Sequence, residues 1–318
     1  MSKLKLFVTR LLPDALMARL AERFRLTAVP GTNSPGREAL RTGVYDADGV
    51  ICTLSERFDS EIFDAAPRLK VVANYAVGYN NIDLDAARAR GVIVTNTPDV
   101  LTETTADLTW ALLLAVARRV PEGHRLVQAG QWTGWDLTHM LGTDVHGKTL
   151  GIVGMGRIGT AVARRAIGFS MPVLYYTPRP TTATHLELWQ RVPFEEVLAR
   201  ADFLSLHVPL TPETHHLIGA AELQTMQSTA FLINTSRGPV VDEAALVAAL
   251  SEGRLAGAGL DVYEQEPALH PGLRTLERVV TLPHLGSATL ATRLKMGMVC
   301  IENVMAVLEG RPAPNRVA

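Results

Sequence analysis

Arg237, Glu266 and His284 close three successive short apolar runs, INTSRG, GLDVYEQEP and LPHLGSAT. A histidine is the side chain that exchanges protons near neutral pH without strong perturbation. A carboxylate bonded to one ring nitrogen fixes the ring's orientation and favours its protonated form. A guanidinium binds paired oxygens and stabilises negative charge as it develops on one of them. Taken singly, these residues read equally well as a turn arginine, a loop carboxylate before a proline and an ordinary loop histidine. Their joint placement after consecutive strands of one sheet carries more weight, because open α/β folds bind ligands at the carboxyl ends of their strands.

The sheet in question announces itself upstream. GMGRIG, residues 154 to 159, follows the apolar run TLGIV and opens RIGTAVARRA, a strand–loop–helix context. That is the context in which a GxGxxG binds a dinucleotide. Gly154 permits the tight turn, Gly156 lets backbone N–H groups approach a pyrophosphate, and Gly159 lets helix and strand pack closely. The next strand ends YYTPRP. Thr177 stands where an acidic residue would select NAD, and Arg179 follows. A hydroxyl and a guanidinium suit a 2′-phosphate. NADPH is therefore the expected cofactor, with NADH possible; the alternative is that Arg179 is a solvated loop residue.

The elements that must position these residues fall into two series. In the first, KLFVTR, GVICTL, KVVANYA and GVIVTN read as strands, with the amphipathic helix PDALMARLAERF and other helical stretches between them. A long helix follows from about Thr102 through TETTADLTWALLLAVARR, with an acidic first turn and a basic last turn. The second series has six strands: TLGIVG, PVLYYT, DFLSLHV, FLINTS, GAGLDV and RVVTLP. Strand–helix alternation predicts parallel sheets covered on both faces. The first series lacks a phosphate loop and is short of strands, so the final helix, ATRLKMGMVCIENVMAVLEG, is expected to return and complete it.

With 318 residues, the chain is long enough for two cores. At 47% apolar and 20% charged it reads as a soluble globular protein. A net charge of −1 excludes a general affinity for nucleic acid or for an anionic membrane surface. The N-terminus does not read as a signal peptide, and LTWALLLAVA is too short to span a bilayer. Cys52 and Cys300 are the only cysteines, which predicts no disulfide framework and a cytoplasmic protein. His139, His146 and the His215–His216 pair lack an i,i+4 partner or a carboxylate at ligand spacing, so no metal is expected. Trp132 and Trp135 read as interface or core aromatics.

The runs LSERFD, VGYNNIDLDAA, TPDVLTETTAD, GTDVHGKTLGIVGMGRIG, NTSRGPVVDE, AGLDVYEQEP and PHLGSAT together resemble the D-isomer-specific 2-hydroxyacid dehydrogenase family. Within it, the chain is most similar to bacterial glyoxylate/hydroxypyruvate reductases, also called 2-ketogluconate reductases. The resemblance implies a Rossmann-type doubly wound parallel sheet domain, residues 101–286, inserted into a smaller flavodoxin-like α/β substrate domain, residues 1–100 plus 287–318. It places the catalytic trio on Arg237, Glu266 and His284, and the nicotinamide carboxamide contact on Asp261. Further cofactor contacts are expected from Arg157, Ile158, His207, Pro209, Thr235, Ser236, Gly286 and Thr105.

The family's active site is the cleft between its two domains. There, Leu54 and Ser55 should line the cleft, and backbone amides of Ala76, Val77 and Gly78 should hold the substrate carboxylate; a purely structural turn at Val77–Gly78 is the alternative. The expected reaction reduces a small 2-oxoacid to the D-2-hydroxyacid, with His284 as proton donor. A homodimer built around the long helix is implied as well. Rival readings are a sibling dehydrogenase of phosphite, formate or 3-phosphoglycerate, and a nucleotide-sensing corepressor-like protein. The loop carries no lysine of the kind phosphite oxidation relies on.

Overall fold

Runs such as GVIC, VVAN, LGIV, FLSL, FLIN and GAGL are buried at every position. A strand buried on both faces needs helices above and below it, which parallel crossover connections supply. The computed structural model describes residues 3–31, 34–178 and 186–318 and shows that arrangement twice. The chain divides into two units, Met1–Leu101 with Ala288–Ala318, and Thr102–Ser287.

The first unit is a five-stranded parallel sheet built from β1 (Lys5–Val8), β2 (Arg25–Ala28), β3 (Gly49–Cys52), β4 (Val71–Asn74) and β5 (Ile93–Thr95). Its order, β2-β1-β3-β4-β5, is the flavodoxin-like one. The connecting helices are α1 (Asp14–Arg23), α2 (Arg37–Val44), α3 (Ser60–Asp64) and α4 (Leu84–Ala89). Asp59 and Asp83 cap α3 and α4 by accepting from Ile62 N–H and Ala86 N–H. β2, RLTA, is an edge strand with no fully buried residue, and apolar periodicity does not reveal it.

The second unit opens with α5 (Thr102–Ala117) and α6 (Val120–Gln128). The long helix stops two residues short of the expected basic turn. Arg119 adopts a left-handed backbone, φ 55°, and stands at the N-cap of α6 instead. Seven parallel strands follow: β6 (Leu150–Val153), β7 (Val173–Tyr176), β8 (Gln190–Arg191), β9 (Phe203–Leu206), β10 (Phe231–Asn234), β11 (Gly257–Leu260) and β12 (Val279–Thr281). Four helices pack with them, α7 (Arg157–Ala166), α8 (Phe194–Arg200), α9 (Ala220–Thr225) and α10 (Glu243–Ser251). The order β12-β11-β10-β9-β6-β7-β8 is that of a Rossmann sheet with one added strand. Sequence reading gives six strands here; β8 is only two exposed residues and carries no apolar signal.

The chain then rejoins the first unit. α11 (Leu290–Leu308) packs on β3 and β4 and buries Met296, Cys300, Ile301 and Val304. Trp132 and Trp135 are 56% and 81% exposed, so neither is a core residue.

Candidate active site

Strand order reverses at β6, which lies between β7 and β9, so the loops leaving β6 and β9 flank the switch-point crevice. Three glycines leave β6, and their surroundings separate their roles. Gly154 turns with φ +100°, and a Cβ there would stand 2.7 Å from the backbone carbon of His207. A Cβ on Gly159 would lie 2.2 Å from the Gly154 carbonyl oxygen, so this glycine serves the packing of α7 on β6. Nothing stands within 4 Å of a Cβ built on Gly156, the residue that caps α7. Open space at the N-terminus of a ten-residue helix, on a backbone without side chains, fits a pyrophosphate. Arg157 and Ile158 open the same helix.

Thr177 follows β7, and its carbonyl oxygen accepts from Arg191 Nη2 at 3.0 Å. Arg179 lies outside the described residues. His207 and Pro209 follow β9; burial pushes His207 down to about 3, which keeps its ring neutral, and Ser205 Oγ lies 2.9 Å from Nε2. Thr235 and Ser236 follow β10. Thr235 Oγ1 meets Thr109 Oγ1 at 2.8 Å, and Thr105 Oγ1 donates to the Gly286 carbonyl at 3.1 Å.

The ends of β10, β11 and β12 bring the ionisable residues together. His284 Nδ1 lies 2.8 Å from Glu266 Oε2, and the two side chains are 26% and 28% exposed. A carboxylate only accepts, so Nδ1 carries a proton and Nε2 is the ring nitrogen that Glu266 does not engage. Tyr263 N–H donates to the other Glu266 oxygen at 3.1 Å and fixes the carboxylate plane. His284 has φ 55°, an uncommon conformation for a residue with a side chain. The next two amides hold it there: Leu285 N–H and Gly286 N–H donate to Asp261 at 2.6 and 2.8 Å. Burial raises the Asp261 carboxyl, and these two bonds and the His284 charge oppose that shift. Burial also pulls the Arg237 guanidinium down while the Glu266 charge lifts it.

Two positioning residues at this edge escaped the sequence reading. Buried Asn234 accepts from Ser236 N–H and Oγ and donates to the Arg237 carbonyl at 2.9 Å, which shapes the turn bearing the guanidinium. A Cβ on Gly238 would stand 1.8 Å from the Tyr263 backbone, so only glycine lets the Arg237 turn approach the Glu266 segment. The signal for both was their place in NTSRG, beside a singled-out arginine.

The geometry agrees with what the chain is similar to. The model of the D-isomer specific 2-hydroxyacid dehydrogenase NAD binding domain matches residues 110–286. A glyoxylate reductase of Korarchaeum cryptofilum is 50% identical over 99% of this chain and 96% of its own length. The TT0316 protein of Thermus thermophilus superposes with a TM-score of 0.93 at 48% identity, covering 99% of this chain and all of that one. The chain belongs to the D-isomer specific 2-hydroxyacid dehydrogenases. It is accordingly an oxidoreductase with an NAD(P)-binding domain. A third relative, the NADPH-dependent glyoxylate/hydroxypyruvate reductase of Sinorhizobium meliloti in complex with NADP and malonate, superposes at 0.87 with 33% identity over 100% of this chain and 97% of that one.

In the first unit of this dehydrogenase, Leu54 is half-buried and Ser55 exposed on the loop after β3. Asn81 Nδ2 donates to the carbonyls of Thr53 and Glu56 at 3.1 and 3.0 Å and holds both ends of that loop. The loop after β4 departs from expectation at one residue. Ala76 N–H donates to the Asn74 carbonyl at 2.8 Å, a bond made two residues back inside the turn, so this amide is already taken. The N–H groups of Val77 and Gly78 donate to no acceptor among the described residues.

The histidine pair also differs from its sequence reading. The fold brings Glu264 Oε1 to 3.2 Å from His216 Nε2, a carboxylate that spacing did not reveal. Among the described residues no three His, Cys, Asp or Glu side chains converge as metal ligands do, and no helix is long and apolar enough to cross a membrane.

Proposed function

We propose that this dehydrogenase reduces a small 2-oxoacid (glyoxylate, hydroxypyruvate or 2-ketogluconate) to the D-2-hydroxyacid, with NADPH preferred to NADH. The observation that carries the reading is the 2.8 Å pair of His284 and Glu266, set beside Arg237 at one strand edge of a dinucleotide-binding sheet. The names of the relatives, glyoxylate reductase and NADPH-dependent glyoxylate/hydroxypyruvate reductase, support the same substrate class.

When bound, the nicotinamide cofactor supplies the hydride that reduces the keto carbon. The chain's own residues do the rest. The backbone at Gly156, with Arg157 and Ile158, holds the pyrophosphate in the turn that Gly154 makes and Gly159 packs against β6, Thr177 serves the ribose, and the charge of Arg179 favours a 2′-phosphate. His207, Pro209, Thr235, Ser236, Thr105, Asp261 and Gly286 complete the cofactor contacts. Val77 and Gly78 bind the substrate carboxylate through backbone N–H groups, with Leu54 and Ser55 beside them. Arg237 grips substrate oxygens and stabilises negative charge on the carbonyl oxygen as it builds. His284 Nε2 gives that oxygen a proton, and Glu266 holds the ring's orientation through Nδ1. A second copy of the chain packing around α5 and α6 would cover the exposed Trp132 and Trp135.

The test is steady-state turnover of a panel of 2-oxoacids with each cofactor, with the configuration of the product determined. A D-product is expected, with kcat/KM higher for NADPH by about one to two decades, the worth of a charge-assisted contact. Cofactor binding without turnover of any 2-oxoacid would replace this reading with that of a nucleotide sensor.

A further inference from the structure

The loop after β4 shows how a backbone can be aimed. In a trans peptide the carbonyl oxygen and the following N–H point in opposite directions, so fixing one fixes the other. Three consecutive carbonyls of this loop are held. The Ala76 oxygen accepts from Thr97 N–H at 2.9 Å. The Val77 oxygen accepts from Asn96 Nδ2 at 2.8 Å, and the Gly78 oxygen from Asn74 Nδ2 at 2.8 Å. The N–H groups of Val77 and Gly78 therefore face away from the residues that hold their peptides, and neither meets an acceptor among the described residues. Successive N–H groups turned to one side form an anion-binding concavity.

Resting on the proposed function, we propose that Asn96 is a positioning residue for the substrate carboxylate: by holding the Val77 carbonyl it aims Gly78 N–H, beside Val77 N–H, at the anion. Asn96 is 9% exposed and its own N–H is bonded to the Asn315 carbonyl at 3.2 Å, so its side chain starts from a fixed backbone. Asn74 is fully buried and exchanges a 3.3 Å contact with Asn81 Oδ1, which ties this loop to the one bearing Leu54 and Ser55. All three holders are uncharged amides. They orient the N–H dipoles without adding a cation, which leaves the affinity dependent on the geometry of two hydrogen bonds.

The test uses oxalate as the carboxylate probe on the full-length protein saturated with NADP⁺. Oxalate should shift the amide resonances of Val77 and Gly78 in the wild type. Asn96→Asp removes the donor and sets a carboxylate against the Val77 carbonyl. At pH 7.5 it should bind oxalate about 10-fold more weakly, the scale of one lost hydrogen bond, while the Kd for NADP⁺ stays within about twofold. At pH 5 the introduced carboxyl begins to take up a proton and can donate again, so the deficit relative to wild type should shrink. Asn96→Ala should show the same loss of about 10-fold at both pH values.

A residue that merely satisfied a buried carbonyl would change thermal stability without this selective, pH-reversible loss. Wild-type oxalate affinity in both variants, or wild-type Val77 and Gly78 resonances that do not respond, overturns the proposal. If oxalate binds through these amides yet no 2-oxoacid is reduced, the proposed function falls and the positioning role stands.

Discussion

At the carboxyl end of β4 the first unit offers two backbone N–H groups aimed by uncharged donors, that of Val77 by the Thr97 N–H on the Ala76 carbonyl and that of Gly78 by the Asn96 amide on the Val77 carbonyl. At the carboxyl ends of β10, β11 and β12 the second unit offers Arg237, Asp261, Glu266 and His284. Both are the edges where parallel sheets bind ligands, yet one is furnished with dipoles and the other with ionisable groups. Recognising a carboxylate needs donors that keep the same charge at every working pH, which peptide N–H groups do. Moving a proton needs a group that changes charge, and the second unit concentrates such groups. Substitutions in the first unit should then act on KM, and those in the second on kcat.

The largest effect should come from His284→Ala. Loss of a positioned general acid costs about 100- to 10,000-fold in kcat. NADPH affinity measured by fluorescence titration should change little, because the glycine loop lies at β6. A comparable loss of NADPH binding would mean that His284 supports the cofactor site rather than the proton transfer.

Arg237→Lys should follow at about 100-fold in kcat/KM. The change keeps a cation but loses the planar fork that binds two oxygens and stabilises developing charge. Near-normal kinetics in this variant would reduce Arg237 to a point charge. The two glycines then sharpen the distinction between fold and ligand. Gly159→Ala drives a methyl into the Gly154 carbonyl and should lower the unfolding midpoint, at a cost of about 1–3 kcal/mol. Gly156→Ala meets open space, so stability should hold while NADPH affinity falls. Equal stability losses in the two variants would contradict the separate roles.

The smallest effect is a slope. His207 is held down to about 3 by burial, against about 6.5 in an unfolded chain. Its folded value is depressed, so the stability it contributes is complete above about pH 6.5 and is lost as pH falls toward 3. Denaturant unfolding between pH 6.5 and 5 should show up to about 1 kcal/mol more loss per pH unit in wild type than in His207→Gln. Parallel slopes in the two proteins would show that the ring takes up its proton without unfolding.

The ionisable half of this comparison was legible in the sequence, and the backbone half was legible only in part. Arg237, Glu266 and His284 declare themselves by residue type and by following apolar runs, and GMGRIG declares its loop by glycine spacing. The long buried strands were readable for the same reason. β2 and the two-residue β8 were not, because an exposed edge strand leaves no apolar run. Backbone donors leave no residue-type signal at all. Whether Val77 and Gly78 have an amide to offer depends on where the preceding carbonyls point, and that is set by Thr97 and Asn96, about twenty residues further along the chain. Gly238 was missed likewise, since its role is a contact with Tyr263, distant in sequence. Arg179, proposed to favour NADPH by its charge, lies outside the described residues.

The central claim is that His284 gives the substrate its proton under the control of Glu266. Reductive kcat, its solvent deuterium isotope effect and the Kd for NADPH in wild type and Glu266→Gln test it most directly. The amide keeps an oxygen for Nδ1 but loses the charge-assisted bond that the carboxylate makes to the ring. In Glu266→Gln kcat should fall by about 10-fold and the isotope effect should grow as proton transfer slows, while the Kd for NADPH holds. An unchanged kcat and isotope effect in Glu266→Gln would contradict the pairing as the basis of the proton transfer.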